Sequence, residues 1–225
     1  MLTLALDTAN DRIAVALAGE GRAVARSEVI SRGHAERLFP LIDEVLSSAG
    51  AGIEDVMRVA VNVGPGSFTG IRIAVAAARG LGLALGIPVV GIDALHLIAA
   101  SLDEPVEGPV LAAVDARRGE VYAALYGPEG DLLEAPFAAD AEAVFARIGD
   151  RAALLAGSGA AILAQQAAIS GLRVPPVSVM MVTDPLVLAR LGNLADPAIA
   201  LPRPLYLRAP DAKPQPPVPG LLARA

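Results

Sequence analysis

The sequence predicts an α/β protein built as a duplicated lobe, and three observations predict it. Three short apolar runs separated by turn residues form an antiparallel meander near the start. That meander feeds alternating strand and helix patterns, and a similar pattern begins again near residue 110. A single doubly wound sheet would alternate strand and helix from its first element. At 225 residues the chain suits one large domain or two small lobes, with enough length to bury a core. The expected division is a first lobe over 1–104, a second over 105–208, and a proline-rich tail over 209–225.

The elements follow in order. Leu2–Leu6, Ile13–Leu17 and Ala23–Val29 are strands, separated by Asn10-Asp11 and by Gly19-Glu20-Gly21. Leu38, Leu41, Ile42, Val45 and Leu46 recur at helical spacing over Ala35–Ser48, and Gly50 stops that helix. Arg58–Val63 is a buried strand, GPGSFTG a turn, and Ile71–Leu85 a second helix ending at Gly86-Ile87-Pro88. Val89–Ile92 is a strand and Ala94–Ser101 a third helix. In the second half Val110–Val114 and Val121–Tyr126 form a hairpin around DARRGE. Ala141–Ile148 is a helix, Ala153–Ala156 a strand, and Ala160–Ile169 and Asp184–Leu194 are helices. Met180-Met181 falls in an apolar run and reads as core. From Ala209 onward five prolines crowd the sequence, as in a poorly ordered tether.

Composition narrows the chemistry. Apolar residues make up 54% of the chain but aromatics only 3%, with no tryptophan, so Ala, Val, Leu and Ile must fill the core. Without cysteine there are no disulfides, thiolate metal sites or cysteine nucleophiles. A net charge of -6 and a pI near 4.9 argue against unaided binding of RNA or DNA, whose affinity rests on neutralised phosphates. MLTLALDTAND lacks a basic leader region and reads as a core strand, so a cytoplasmic protein is expected. The longest weakly polar stretch, Ile73–Ile98, is interrupted by Arg79, Pro88 and Asp93, and no membrane span is expected.

Several turns could carry chemistry. In GPGSFTGIR, Gly64, Gly66 and Gly70 allow close backbone approach, and Ser67 and Thr69 are candidate caps at a helix N-terminus. Such a turn can bind an anion. It can equally be a tight strand-to-helix turn, and it is not a P-loop, because the spacing fails and no lysine follows Gly70. Asp7 ends the first strand, where an acidic residue can meet Mg²⁺ or bond its own turn amides. The following Ala9-Asn10-Asp11 lacks a glycine against which a phosphate could lie. Asp115, Arg117, Gly119 and Glu120 belong to a charged hairpin tip, readable as a solvated turn with an Asp–Arg pair or as a site for a partner. Gly157-Ser158-Gly159 opens a helix after a strand, a weak sign of an adenosine or phosphate turn. Only His34 and His96 are present, without a second histidine at ligand spacing, and no GxSxG elbow occurs.

The helices suggest a contact surface. Ala35–Ser48 is amphipathic, and Ile71–Leu85 is small and apolar on nearly every side. A helix apolar all round must be covered all round. Burial between the sheet and the first helix would satisfy that; so would a four-helix contact with another subunit.

GPGSFTGIR, preceded by RGHAERLFPLIDEVL and followed by PVVGIDAL and DARRGEVY, resembles the TsaB (YeaZ) family. The resemblance is close over about residues 2–125 and looser through GSGA, PLYLR and the proline-rich end. It implies an actin-like (sugar kinase/Hsp70, RNase H-like) fold of two lobes, which explains the duplication. It also implies a non-catalytic subunit of the tRNA N6-threonylcarbamoyladenosine machinery, one that binds and stabilises the transferase TsaD. The ATPase TsaE would then act on the TsaD–TsaB pair, and no direct tRNA binding, cofactor, metal or catalytic residue is implied for this chain. In the catalytic sister family a metal-binding His-x-x-x-His pair follows the strand matching Pro88–Ile92; Ala94 and Ile98 stand there instead. The implied partner face comprises His34, Leu38, Leu41, Ile42 and Val45 with Arg72, Val75, Ala77, Ala78 and Leu81. Alone, the chain would pair with its own copy through that surface, since an unpaired apolar patch seeks cover. The competing expectation, motivated by Asp7 and the Gly-Ser-Gly turn, is an actin-like ATPase or a glycopeptidase-like hydrolase.

Overall fold

In the computed structural model, which describes residues 1–102, 104–178 and 183–208, two mixed sheets stand side by side. The readings of Met180-Met181 and of the tail lie outside the described residues. In the first lobe β1 (Thr3–Asp7), β2 (Arg12–Gly19) and β3 (Arg22–Val29) form the meander. Then come α1 (His34–Ser48), β4 (Arg58–Asn62), α2 (Phe68–Leu85), β5 (Val89–Ile92) and α3 (Ala94–Ala100). The sheet order is β3-β2-β1-β4-β5, with antiparallel pairing through β2 and parallel pairing of β4 with β1 and β5.

The second lobe repeats this: β6 (Val110–Arg117), β7 (Glu120–Tyr126), β8 (Leu132–Asp140), α4 (Ala141–Ile148), β9 (Leu154–Ala156) and α5 (Ala160–Ile169), in the order β8-β7-β6-β9. β9 is parallel to β6, as β4 is to β1. A single parallel bridge, Leu155 to Val177, occupies the place of a fifth strand. This is the expected α/β fold of duplicated lobes.

Side-chain alternation along β1 explains how each face is covered. Leu2, Leu4 and Leu6 turn toward Leu38, Leu41, Ile42 and Val45 of α1 and toward Ile71, Ala74, Val75 and Ala78 of α2. The opposite face is alanine-rich (Ala5, Ala16, Ala60) and meets Val187, Leu188 and Ala189 of α6 (Pro185–Leu194). Small residues let α6 lie close to the sheet; a Cβ on Gly192 would stand 2.2 Å from the Ala60 Cβ. A core with few aromatics is thus closed by short distances between backbones.

α6 falls within 105–208, the stretch expected to form the second lobe, yet it packs on the first sheet. Conversely α3 sends Leu95 into the second sheet, against Ala112, Val114, Ala124 and Tyr126. The lobes therefore exchange their third helices, and Leu97 of α3 meets the α6 cluster between them. Arg58 fixes α6 from below, its Nη1 donating to the carbonyls of Gly192 and Ala195 at 2.8 Å each. The strand β8 is absent from the sequence reading: it contains Pro136, lies at a sheet edge where proline is tolerated, and pairs with register shifts.

By length and mean hydropathy alone (1.4 over 18 residues) α2 would be long and apolar enough to cross a membrane, a test that a core helix also passes. Its Ile71, Ala74, Val75 and Ala78 are nevertheless packed in the first lobe, as in a core helix.

Candidate functional site

The C-terminal ends of β1, β4, β6 and β9 converge on a cleft of about 690 Å³ between the lobes. Open α/β sheets commonly hold ligands at such strand ends. Asp7, Ser67, Asp115, Arg117 and Ser158 all line it, so the structure gathers residues that the sequence singled out separately, and Asn62 joins them.

The two aspartates occupy matching positions and make the same turn. Asp7 Oδ1 accepts the Ala9 amide at 2.9 Å, and Asp115 Oδ1 accepts the Arg117 amide at 2.7 Å. Each is a carboxylate bonding its own backbone two residues on. Thr183 Oγ1 lies 3.4 Å from the other oxygen of Asp7, which is almost fully buried. Asp115 is also 3.4 Å from the exposed Arg117 guanidinium, and its amide donates to Ser158 Oγ at 3.1 Å. At the same hairpin Glu120 pairs with Arg208. Gly119 has φ of 81°, a left-handed conformation that favours glycine.

GPGSFTG is built onto the Thr8–Ala9 turn. The Ser67 amide donates to the Ala9 carbonyl at 2.6 Å, and Thr8 Oγ1 donates to the Gly70 carbonyl at 2.6 Å. A Cβ on Gly66 would come 2.3 Å from the Ala9 oxygen, and one on Gly70 would come 1.9 Å from the Thr8 oxygen. The glycines are there to let two backbone turns touch. Ser67 caps α2 by accepting the Gly70 amide at 3.2 Å. Thr69, the other expected cap, lies exposed in the first helical turn and makes no cap bond. Gly64 has φ of 91°, and its amide donates to Asn62 Oδ1 at 2.9 Å. Asn62, fully buried, leaves its Nδ2 without a partner among the described residues; no sequence pattern marked it.

Ala94 and Ile98 line the cleft, while His96 lies outside it, stacked on Tyr126 with centroids 5.2 Å apart. Tyr126 donates to Asp93 at 3.0 Å, and burial together with the Asp93 charge pushes its phenol far above the usual range. Among the described residues no group of three or more acidic or histidine side chains is arranged to hold a metal ion.

The second candidate surface is the outer side of α1 and α2. Here the expected face needs correction. Leu38, Leu41, Ile42, Val45, Val75 and Ala78 are buried in the first lobe, and a side chain with no free surface cannot meet a partner. His34, Ala77 and Leu81 are half-buried, and Arg72 alone of the ten is exposed. The free side instead carries Phe39 (51% exposed) and Pro40 on α1. On α2 it carries Phe68, Arg72, Ala76, Arg79, Gly80 and Leu83, the last 87% exposed. The helical period does find this stripe, but on the side opposite to the strongest apolar repeat.

Residues 26–181 match the family model described as TsaD, tRNA N6-adenosine threonylcarbamoyltransferase. The chain is 39% identical over 127 residues to the tRNA threonylcarbamoyladenosine biosynthesis protein TsaB of Escherichia coli, covering 56% of this chain and 55% of that protein. It is 34% identical over 135 residues to TsaB of Bacillus subtilis, covering 60% and 58%. The chain thus spans about half the length of the curated TsaB relatives it matches. An uncharacterized protein of Mycobacterium tuberculosis is 37% identical over 214 residues, 94% of this chain and 93% of that one. Among solved structures, YeaZ from Pseudomonas aeruginosa superposes with a TM-score of 0.73 at 32% identity, over 92% of this chain and 99% of that one. On that sequence and structural match, over nearly the whole chain, the chain belongs to the TsaB (YeaZ) family.

Proposed function

We propose that this protein is a non-catalytic subunit in the formation of N6-threonylcarbamoyladenosine in tRNA, acting by binding and stabilising the transferase TsaD. The ATPase TsaE then acts on the TsaD–TsaB pair, in the cytoplasm, and this chain makes no tRNA contact of its own. The observation that carries the reading is the exposed stripe of Phe39, Pro40, Ala76, Gly80 and Leu83 on the outer side of two helices whose other side is core. Small residues in such a stripe let a partner's helices approach closely, and an apolar patch of this kind marks an interaction surface.

The test is a pull-down of the transferase encoded in the same genome, followed by modification assays with this chain present and absent. Binding together with an activity that depends on this chain is expected. A transferase equally active and soluble without it would overturn the proposal.

The cleft favours a second reading, an actin-like ATPase, because Asp7 and Asp115 face a cavity of nucleotide size. Against it, the Ser67 and Ala9 amides, which could have cradled phosphate, already bond Ala9 and Asp7. Calorimetry with ATP and Mg²⁺ discriminates. Micromolar binding abolished by Asp7→Ala would establish the second reading; no heat of binding is expected.

A further inference from the structure

Where α2 begins, three exposed side chains hold one another. The Arg72 guanidinium carbon lies 3.6 Å from the centroid of the Phe68 ring and 5.7 Å from that of Tyr206. The two rings are 5.8 Å apart and tilted by 35°. Arg72 Nε donates to Tyr206 Oη at 2.8 Å. Tyr206 is delivered by the segment that follows α6, which is tied to the first lobe by the Gly91 amide on the Ala200 carbonyl (2.9 Å) and the Leu205 amide on the Val63 carbonyl (2.8 Å). The segment passes so near β5 that a Cβ on Gly91 would meet the Leu201 oxygen at 2.6 Å.

This arrangement is costly to leave idle. The chain has only seven aromatic residues, four Phe and three Tyr. Three of them, Phe39, Phe68 and Tyr206, are about half exposed. Arginine, tyrosine and other large aromatics concentrate where binding energy concentrates. The ring below and the hydroxyl beside it fix the guanidinium plane before any partner arrives, which lowers the entropy lost on binding. With Nε engaged, Nη1 and Nη2 have no hydrogen-bond or ion-pair partner among the described residues, which leaves a two-pronged donor on an exposed side chain.

We infer that Phe68, Arg72 and Tyr206 form the anchor of the partner interface, and that the fork of Arg72 receives a carboxylate from an acidic side chain of the partner subunit. The inference rests on the partner-binding reading above and adds the segment after α6 to the two helices. Charge decides the class of occupant. Arg72 and Arg79 are the only charged residues on α2, both exposed and seven residues apart on one side, in a chain of net charge -6. In a symmetric pairing of α2 against its own copy, four cations would gather; an acidic partner helix matches instead. Two isolated arginines in an acidic protein are too few for an RNA backbone, whose grip needs many phosphates neutralised together.

The experiment measures the Kd of the full chain for the transferase partner at about 0.05 and about 0.5 M salt. It compares wild type with Arg72→Ala, Arg72→Lys, Tyr206→Phe and, as a marker of the helical face, Leu83→Glu. Arg72→Ala should weaken binding about tenfold or more, with thermal unfolding unchanged and the salt dependence reduced. Arg72→Lys should not restore it, because an ammonium lacks the planar fork. Tyr206→Phe should cost about two- to fivefold through the freed guanidinium. If Arg72→Ala binds within twofold of wild type while Leu83→Glu does not bind, the carboxylate anchor is wrong and the partner reading stands. If neither changes affinity, the partner reading falls and the anchor with it. Loss of self-association alone, or of RNA binding alone, in Arg72→Ala would also overturn the inference.

Discussion

A methyl group is a sharp probe of GPGSFTG. Gly70→Ala would drive its Cβ into the Thr8 carbonyl, and Gly66→Ala into that of Ala9, and neither obstacle is a flexible side-chain end. Each should destabilise the chain by about 2 kcal/mol or more. Gly80→Ala, in mid-helix with open space around the new carbon, should stabilise it by about 0.5–1 kcal/mol. Urea unfolding of the three variants checks the contrast. If all three behaved alike, the glycines would not owe their place to the backbone contact. The clustering of glycines was legible in the sequence. Their purpose was not, because the obstructing atoms belong to residues about sixty positions earlier.

On α1 and α2, helical periodicity located the helices within a few residues and then led to the wrong face. Leu38, Leu41, Ile42 and Val45 have the spacing of a contact surface because they make one, with β1 and β2 of their own chain. Leu41→Ala should therefore cost about 2–5 kcal/mol of stability, whereas Leu83→Glu should leave the melting temperature unchanged and abolish partner binding. Comparing calorimetric melting with pull-down yield separates the two. The same helix is fastened at its outer edge by Arg37, which bonds Glu28 of β3 and Glu44 of α1. The hydrogen bonds from Arg37 hold both glutamates below the ordinary carboxylate range. A carboxyl whose folded pKa is lowered contributes stability above its unfolded pKa near 4.5 and loses it as the pH falls below that. Arg37→Gln should flatten the acid limb of a stability–pH curve and lower its neutral plateau by the same small amount, since Glu28 is half-buried and Glu44 exposed, so solvent screens both pairs. The strand β8 shows the opposite limit. Pro136 and a broken alternation hid it, and only its pairing with β7 makes it a strand.

For the molecule as a whole, the repeat of meander, helix, strand and helix was legible because each unit carries its own periodicity. The cleft was legible in part: Asp7, GPGSFTG and DARRGE were noticed one at a time, and the matched turns of Asp7 and Asp115 emerge only once the sheets stand together. The exchange of α3 and α6 left no trace in the sequence, since a helix apolar on one side does not say which sheet it will cover. That exchange makes residues 1–104 incomplete alone: Ala5, Ala16, Ala60 and Val90 would lose α6, and Leu95 would have no sheet to enter. The isolated fragment should show no cooperative thermal transition, while the whole chain unfolds in one step by circular dichroism and fluorescence alike. Two independent transitions would mean that the lobes fold separately.

Two halves that each hold the other's helix behave like clasped hands. Cutting the backbone between α3 and β6 should yield two pieces that migrate together through gel filtration and part only in denaturant. Clasped lobes should also resist swinging apart as a hinge does, and a gap of constant width by small-angle scattering with and without added ligands checks that expectation. Tyr206 reaches Arg72 only because the chain has crossed back with α6, so its place depends on that clasp. The protein would then serve its partner as a fixed template, presenting one shape in every encounter.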